Sequence, residues 1–229
     1  IRAIVARRFP VTLQLTLYTI VLSVVISVPL GVVAALKQDK WPDYVVRLFT
    51  IAGLAIPNFW TALMVILGLL LVFRWSPPVI YADIWEDPWT HFQIMIWPSL
   101  VLAWTFSSYL TRVTRSNMLE VLRQDYIRTA QSKGLAERVV VWRHALRNTL
   151  IPVVTVAGIY LGTMLGGAVI LEAIFGLPGL GEGIVDAALN RDYLVIQSLA
   201  TMLVFMMLAV NLLVDVAYVV IDPRISYRS

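Results

Sequence analysis

Residue types that do chemistry are scarce in this chain and lie too far apart to act together. There are two histidines, His91 and His144, and no cysteine, so disulfides, thiolate metal sites and a cysteine nucleophile are excluded. No His-Glu-x-x-His pattern sets two imidazoles one helical turn apart for zinc, and nothing has the form of a nucleophile elbow. The glycine-rich stretch Phe175 to Gly183 contains no Lys-Ser/Thr pair and follows no strand pattern, so it is not a phosphate loop. No catalytic, cofactor-binding or metal-ligating set emerges. What remains is a charged segment, Glu120 to Pro152, enclosed by apolar sequence on both sides and carrying Arg123, Arg128, Lys133, Arg138, Arg143 and Arg147. Its chemistry is recognition by charge and shape.

The segment reads as two short amphipathic helices meeting at Gly134. Leu119, Leu122, Tyr126 and Ala130 recur at helical spacing before the glycine; Leu135, Val139, Trp142 and Leu146 recur after it. Gly134 supplies a left-handed turn, and Lys133 falls in the last turn of the first helix, where the helix dipole favours a cation. Pro152 disfavours helix at Ile151 and suits the first turn of a new one. On pattern alone, a lever that docks on a protein and a pair of basic helices lying on anionic lipid both fit.

The elements that must position this segment are membrane spans. Of 229 residues, 59% are hydrophobic and 14% charged, and the mean hydropathy is +0.80. A water-soluble fold of this size needs more polar surface. The net charge of +4 comes from basic residues clustered beside apolar runs, which is membrane topology and not a phosphate groove. We expect an all-α polytopic bundle of five spans: Val11 to Leu36, bent at Pro29; Tyr44 to Phe73, interrupted at Gly53 and Pro57-Asn58; Ile94 to Thr111; Ile151 to Ile174; and Tyr193 to Ile221. Trp75, Trp85 and Trp89 mark an irregular outer flank at headgroup level. A short interfacial helix is expected over Ile184 to Leu189.

Assigning Lys37 to Arg47, Arg112 to Arg147 and the C-terminus to one side collects 13 of the 18 basic residues there, which makes that side and the C-terminus cytoplasmic. Arg2, Arg7 and Arg8 then fall on the opposite side, and His91 and His144 on opposite faces. Gly158, Gly162 and Gly166 form a small-residue seam for helix packing. Asn58 beside the break at Pro57, with Ser107 and Ser108 in the third span, are candidates to line a path; a simple kink and interhelical hydrogen bonding are the plainer alternatives. Asp215 lies about 10 Å along its helix from Asp222 and reads as an interface-level pairing residue.

Asp125 to Ala130, Lys133-Gly134 and Arg143 to Asn148 closely resemble the cytoplasmic loop of permeases in the peptide/nickel branch of ATP-binding-cassette (ABC) importers. Against the broader importer pattern the match is partial: Arg128-Thr129-Ala130 stands for Glu-Ala-Ala, and His144, Leu146 and Arg147 for Ile, Leu and Pro. Further matches lie at Ile56 to Trp60, Phe175 to Gly181, Asn211 to Asp215 and Asp222-Pro223-Arg224. The resemblance implies a type I importer transmembrane domain over 1–229, with a further N-terminal span before Ile1 and a cytoplasmic coupling loop over 112–150. It implies that Tyr126, Arg128, Thr129, Ala130, Lys133, Gly134, Leu135 and Glu137 dock on an ATPase. It further implies a second homologous permease, two cytoplasmic ATPases that bind Mg-ATP, an extracytoplasmic binding protein, a prokaryotic inner-membrane location and import of peptides, nickel or related small solutes. The chain itself would hydrolyse nothing. The rival expectations are an ion-gradient-driven carrier, for which Asp215 is the candidate charge, and a membrane-anchored interaction or sensor protein.

Overall fold

Runs of Leu, Val and Ile with few charges must satisfy their backbone groups internally, and helices do so. The computed structural model describes residues 2–78 and 80–221, with the side chains of 161–163, 165 and 213–221 excepted. Among these residues the elements are helical: α1 (Arg2–Leu36), α2 (Trp41–Ala55), α3 (Asn58–Val72), α4 (Pro88–Leu122), α5 (Asp125–Ser132), a turn α6 (Glu137–Val139), a π-helical stretch (Val140–Ala145), α7 (Leu146–Phe175), α8 (Leu180–Leu189) and α9 (Tyr193–Ile221). Three are long and apolar enough to cross a membrane, and two bent pairs raise the number to five: α2 with α3, and residues Gly166–Phe175 of α7 with α8, bent by 71°. The fold is an all-α polytopic bundle.

Several boundaries differ from expectation. Helix α1 begins at Arg2, well before Val11, because Pro10 and Pro29 lie in a run that otherwise favours helix. Helix α4 extends from Pro88 to Leu122 and carries Pro98 internally. No boundary forms at Pro152, which lies inside α7; the second loop helix and the following span are therefore one run, interrupted by π geometry rather than by proline. The interfacial helix begins at Leu180, four residues before Ile184.

The chain forms two compact units. In the unit comprising Ile1–Val21, Ile56–Ala103 and Gly158–Ser229, the core joins Val11 and Leu15 of α1, Ala62 of α3, Ile94, Met95, Val101 and Leu102 of α4, and Ala168 and Leu171 of α7. Helix α7 ends at Gly176, whose φ of +65° lets the Leu177 amide reach back to the Glu172 carbonyl at 2.8 Å, closing the last turn. The incoming α8 is capped by other elements: the Leu180 amide donates to Thr12 Oγ1 at 2.8 Å, and the Gly181 amide to the buried Glu172 carboxylate at 2.7 Å. Arg8, which charge placement leaves on the minority side, is ion-paired to Glu182. The outer flank is irregular at Trp75 and Trp85, but Trp89, expected in it, lies in the first turn of α4; His91 holds the flank, within hydrogen-bond reach of the Ala82 carbonyl at 3.0 Å and the Tyr18 hydroxyl at 3.2 Å.

In the unit comprising Leu22–Ala55 and Trp104–Ala157, the core joins Val32 and Ala35 of α1, Met118 of α4, Ile127 and Ala130 of α5, Val140, Val141 and Ala145 of the π stretch, and Leu146 of α7. This is the unit that carries the charged loop.

Candidate functional site

The loop is built by two interruptions of helix. Helix α4 stops at Leu122 and the chain turns through Gln124, whose ψ of 149° is extended. Helix α5 then starts afresh with Asp125 in its first turn, where a carboxylate suits the dipole. It ends at Lys133, the C-cap, just past the last helical residue. Gly134, with φ of +75°, reverses the chain: its amide bonds to the Gln131 carbonyl at 2.9 Å and the Leu135 amide to Ala130 at 3.4 Å. Only a residue without Cβ adopts this conformation at little cost.

Two faces result. Ile127 is fully buried and Ala130 is 8% exposed, both against the α1, α4 and π-stretch core. Tyr126, Arg128, Thr129, Lys133, Gly134, Leu135 and Glu137 are all exposed. Ala130 therefore makes its close approach inside the chain, where the outward one was expected. The inward stripe also shifts from Tyr126 to Ile127, because the break at Arg123-Gln124 resets the helical phase between α4 and α5.

The second stripe is shifted as well. Leu135, Val139 and Trp142 are exposed, Leu146 is buried as expected, and Val140, Val141 and Ala145 are buried beside it. In the π stretch each turn accommodates an extra residue, so a 3.6-residue reading of the pattern loses register. Asn148 Nδ2 donates to the exposed Tyr126 hydroxyl at 2.7 Å, and Thr149 Oγ1 to the Ala145 carbonyl at 2.9 Å.

The remaining candidates lie apart from the loop. Ser107 and Ser108 are fully buried and donate to the Trp104 carbonyl at 3.0 and 2.7 Å; Ser108 packs under Gly53 of α2. Both bonds stay within α4. Asn58 is partly exposed at the start of α3, near Gly167 of α7. Of the glycine seam, Gly158 is buried and Gly166 is exposed with open space above it. Packing at Gly162, the side chain of Asp215 and the segment 222–224 lie outside the described residues. Among the described residues no group of three or more His, Asp or Glu side chains could hold a metal ion.

Sequence reasoning missed the fully buried Asp43. Arg115 grips both its oxygens, Nε to Oδ1 and Nη2 to Oδ2 at 2.7 Å each, and Arg47 Nη2 donates to Oδ2 at 2.6 Å. The i,i+4 spacing of Asp43 and Arg47 was a usable signal; the partner 72 residues on was not. It missed Glu172, and also the stripe Thr12, Thr16, Thr19, Ser23 and Ser27 on α1, all buried. That stripe is legible as polar residues at helical spacing.

A multi-span helical bundle whose charged loop has one buried and one exposed face has the make-up of a polytopic membrane subunit. Residues 27–227 match the family described as binding-protein-dependent transport system inner membrane component, and the chain belongs to that family. The oligopeptide transport system permease protein AppB of Bacillus subtilis (strain 168) is 41% identical over 230 residues, covering 98% of this chain and 72% of that protein. The dipeptide transport system permease protein DppB of Alkalihalophilus pseudofirmus is 39% identical over 236 residues, covering 94% and 71%. The glutathione transport system permease protein GsiC of Escherichia coli O1:K1 / APEC is 37% identical over 224 residues, covering 98% and 71%.

Among solved structures, an amino acid ABC transporter crystallised with histidines superposes with a TM-score of 0.72 at 15% identity, covering 95% of this chain and 94% of that one. An inward-facing methionine ABC transporter gives 0.72 at 16%, covering 96% of both chains. The likeness is one of fold. The chain is a multi-pass permease subunit of an ABC importer, and ATP hydrolysis belongs to separate ATPase subunits.

Proposed function

We propose that this chain is the permease of a peptide importer and that residues 112–150 are its coupling loop within one transmembrane domain spanning 1–229. The observation that carries the loop assignment is the division of α5 into a face held by its own core, Ile127 and Ala130, and a face with no cover, Tyr126, Arg128 and Thr129 continuing into Lys133, Gly134, Leu135 and Glu137. Tyr126 and Leu135 offer apolar anchors, and the charged residues set register on the ATPase. Ala130 supports the site from beneath.

In this reading the assembly is two homologous permeases, two ATPases that bind Mg-ATP and an extracytoplasmic binding protein. It lies in the prokaryotic inner membrane with the loop and the C-terminus cytoplasmic, consistent with the placement of basic residues. Closure of the ATPases pushes the loop, and the spans alternate access. The exposed Gly166 offers a small-residue approach for the second permease, Gly158 packs within the chain, and Asn58, Ser107 and Ser108 are the candidates on the path. Peptide as cargo rests on the names of the relatives; nickel and related small solutes are the other members of the class.

The experiment is purification through this chain in mild detergent, with Gly134→Asp beside the wild type. A permease pair with two ATPases, from which the ATPases are lost in the variant while insertion persists, is the expected outcome. A chain that carries no ATPase even when wild type overturns the reading.

A further inference from the structure

A carboxylate taken out of water must be matched by positive charge and hydrogen bonds, and a site that does so for one residue with two helices fixes those helices together. Asp43, at the start of α2, is such a residue. It is fully buried, accepts two 2.7 Å bonds from Arg115 in the last third of α4, and accepts from Arg47 one turn further along α2 at 2.6 and 3.2 Å. The Asp39 amide, in the turn before α2, donates to it at 3.0 Å, and Arg47 also reaches the Asp39 carboxylate at 3.0 Å. Both oxygens of one anion are thus shared between two helices and the turn that leads into them. Above the cluster, Ser108 of α4 packs under Gly53 of α2, and the ring centroids of Phe49 and Trp104 are 6.0 Å apart.

Helix α4 ends at Leu122, seven residues beyond Arg115, and α5 starts at Asp125. A displacement of α5 therefore reaches α4 through the short link at Arg123-Gln124, as well as the π stretch on which α5 packs. Side chains packed by dispersion alone can slide, whereas a bidentate guanidinium–carboxylate pair holds one geometry. We propose that Asp43 is a positioning residue of the transport cycle: it makes α2 and α4 one lever body, so that a push received at α5 also reaches α2. Asp43 acts through Arg115. The proposal rests on the coupling-loop reading above and extends it to a helix remote in sequence from the loop.

The test uses the assembled importer in lipid nanodiscs, with spin labels at Leu48→Cys on α2 and Glu120→Cys on α4, both exposed positions in a chain with no other cysteine. Distances are read in the nucleotide-free and ADP-vanadate-trapped complexes. With Asp43 present, one narrow distance that does not move between the two states is expected. In Asp43→Asn, vanadate trapping should shift or split that distance while the ATPases still co-purify. Arg115→Gln removes the same pair from the other side and serves if Asp43→Asn does not assemble; Arg115→Lys, which keeps the charge but not the fork, should restore the single distance in part. A distance that stays single and unmoved in both disruptive variants, with ATPases bound, overturns the positioning role and leaves the docking assignment standing. Loss of ATPases from the wild-type complex would instead remove the docking assignment itself.

Discussion

Asn148 of α7 donates a 2.7 Å hydrogen bond to the Tyr126 hydroxyl of α5, so the loop helix is fastened to the span that follows it as well as to the one before. The bond is exposed, where such interactions contribute at the low end of about 0.5–1.5 kcal/mol. Tyr126→Phe should therefore leave thermal stability nearly unchanged and keep the ring as an anchor. Tyr126→Ala removes the ring, and the amount of ATPase recovered per permease should fall. Equal recovery from both variants would strip Tyr126 of its anchoring role.

Gly134→Ala isolates the backbone contribution of the turn. Nothing lies within 4 Å of a Cβ added there, so the cost is that of holding alanine in left-handed geometry, about 1–2 kcal/mol. The strain should appear locally, as faster amide exchange at residues 133–135 with no change in the melting temperature of the bundle. Exchange as slow as in the wild type would mean that the turn relaxes to another geometry.

Asp43→Ala should lower stability in detergent by about 2 kcal/mol, below the 3–5 kcal/mol typical of fully enclosed pairs because Arg115 retains some contact with solvent. The loss should be visible in thermal unfolding of the isolated chain, independently of any effect on coupling. Arg47→Gln should cost much less, since Arg115 still holds both oxygens.

Glu172→Ala leaves the Gly181 and Glu182 amides of α8 without their acceptor. An orphaned buried donor costs about 1–3 kcal/mol, and protease cleavage within 177–183 should rise. Glu172→Gln keeps an acceptor oxygen and should be closer to wild type. If the two variants are cleaved alike, the carboxylate does not cap α8.

Tyr81, in the outer flank, accepts no ready ionisation: burial pushes its hydroxyl from about 10 up to about 12, with Asp83 adding to the effect. The neutral form is thus favoured by folding. Its contribution to stability is complete below pH 10 and is lost as the pH rises towards 12. The difference between the melting temperatures of wild type and Tyr81→Phe should therefore be constant below about pH 10 and shift against the wild type as the pH rises towards 12. A constant separation across that range would remove the titration of Tyr81 as the cause.

The amino-acid sequence alone determined the class of this protein. Apolar runs of spanning length, a glycine where the loop reverses and motifs shared with importer permeases are all local or additive properties, and each survives folding unchanged. Only tertiary structure decided which face of the loop is free. Ile127 rather than Tyr126 turns inward because a break restarts the helix, and Val140 and Val141 replace Val139 because the following stretch is π-helical; neither phase can be counted along a sequence that assumes uninterrupted α-helix. The pairings Asp43 with Arg115, Arg8 with Glu182 and Glu172 with the start of α8 were equally out of reach. Each joins residues distant in the chain, or depends on which buried charge finds a partner, and that is set by packing rather than by spacing.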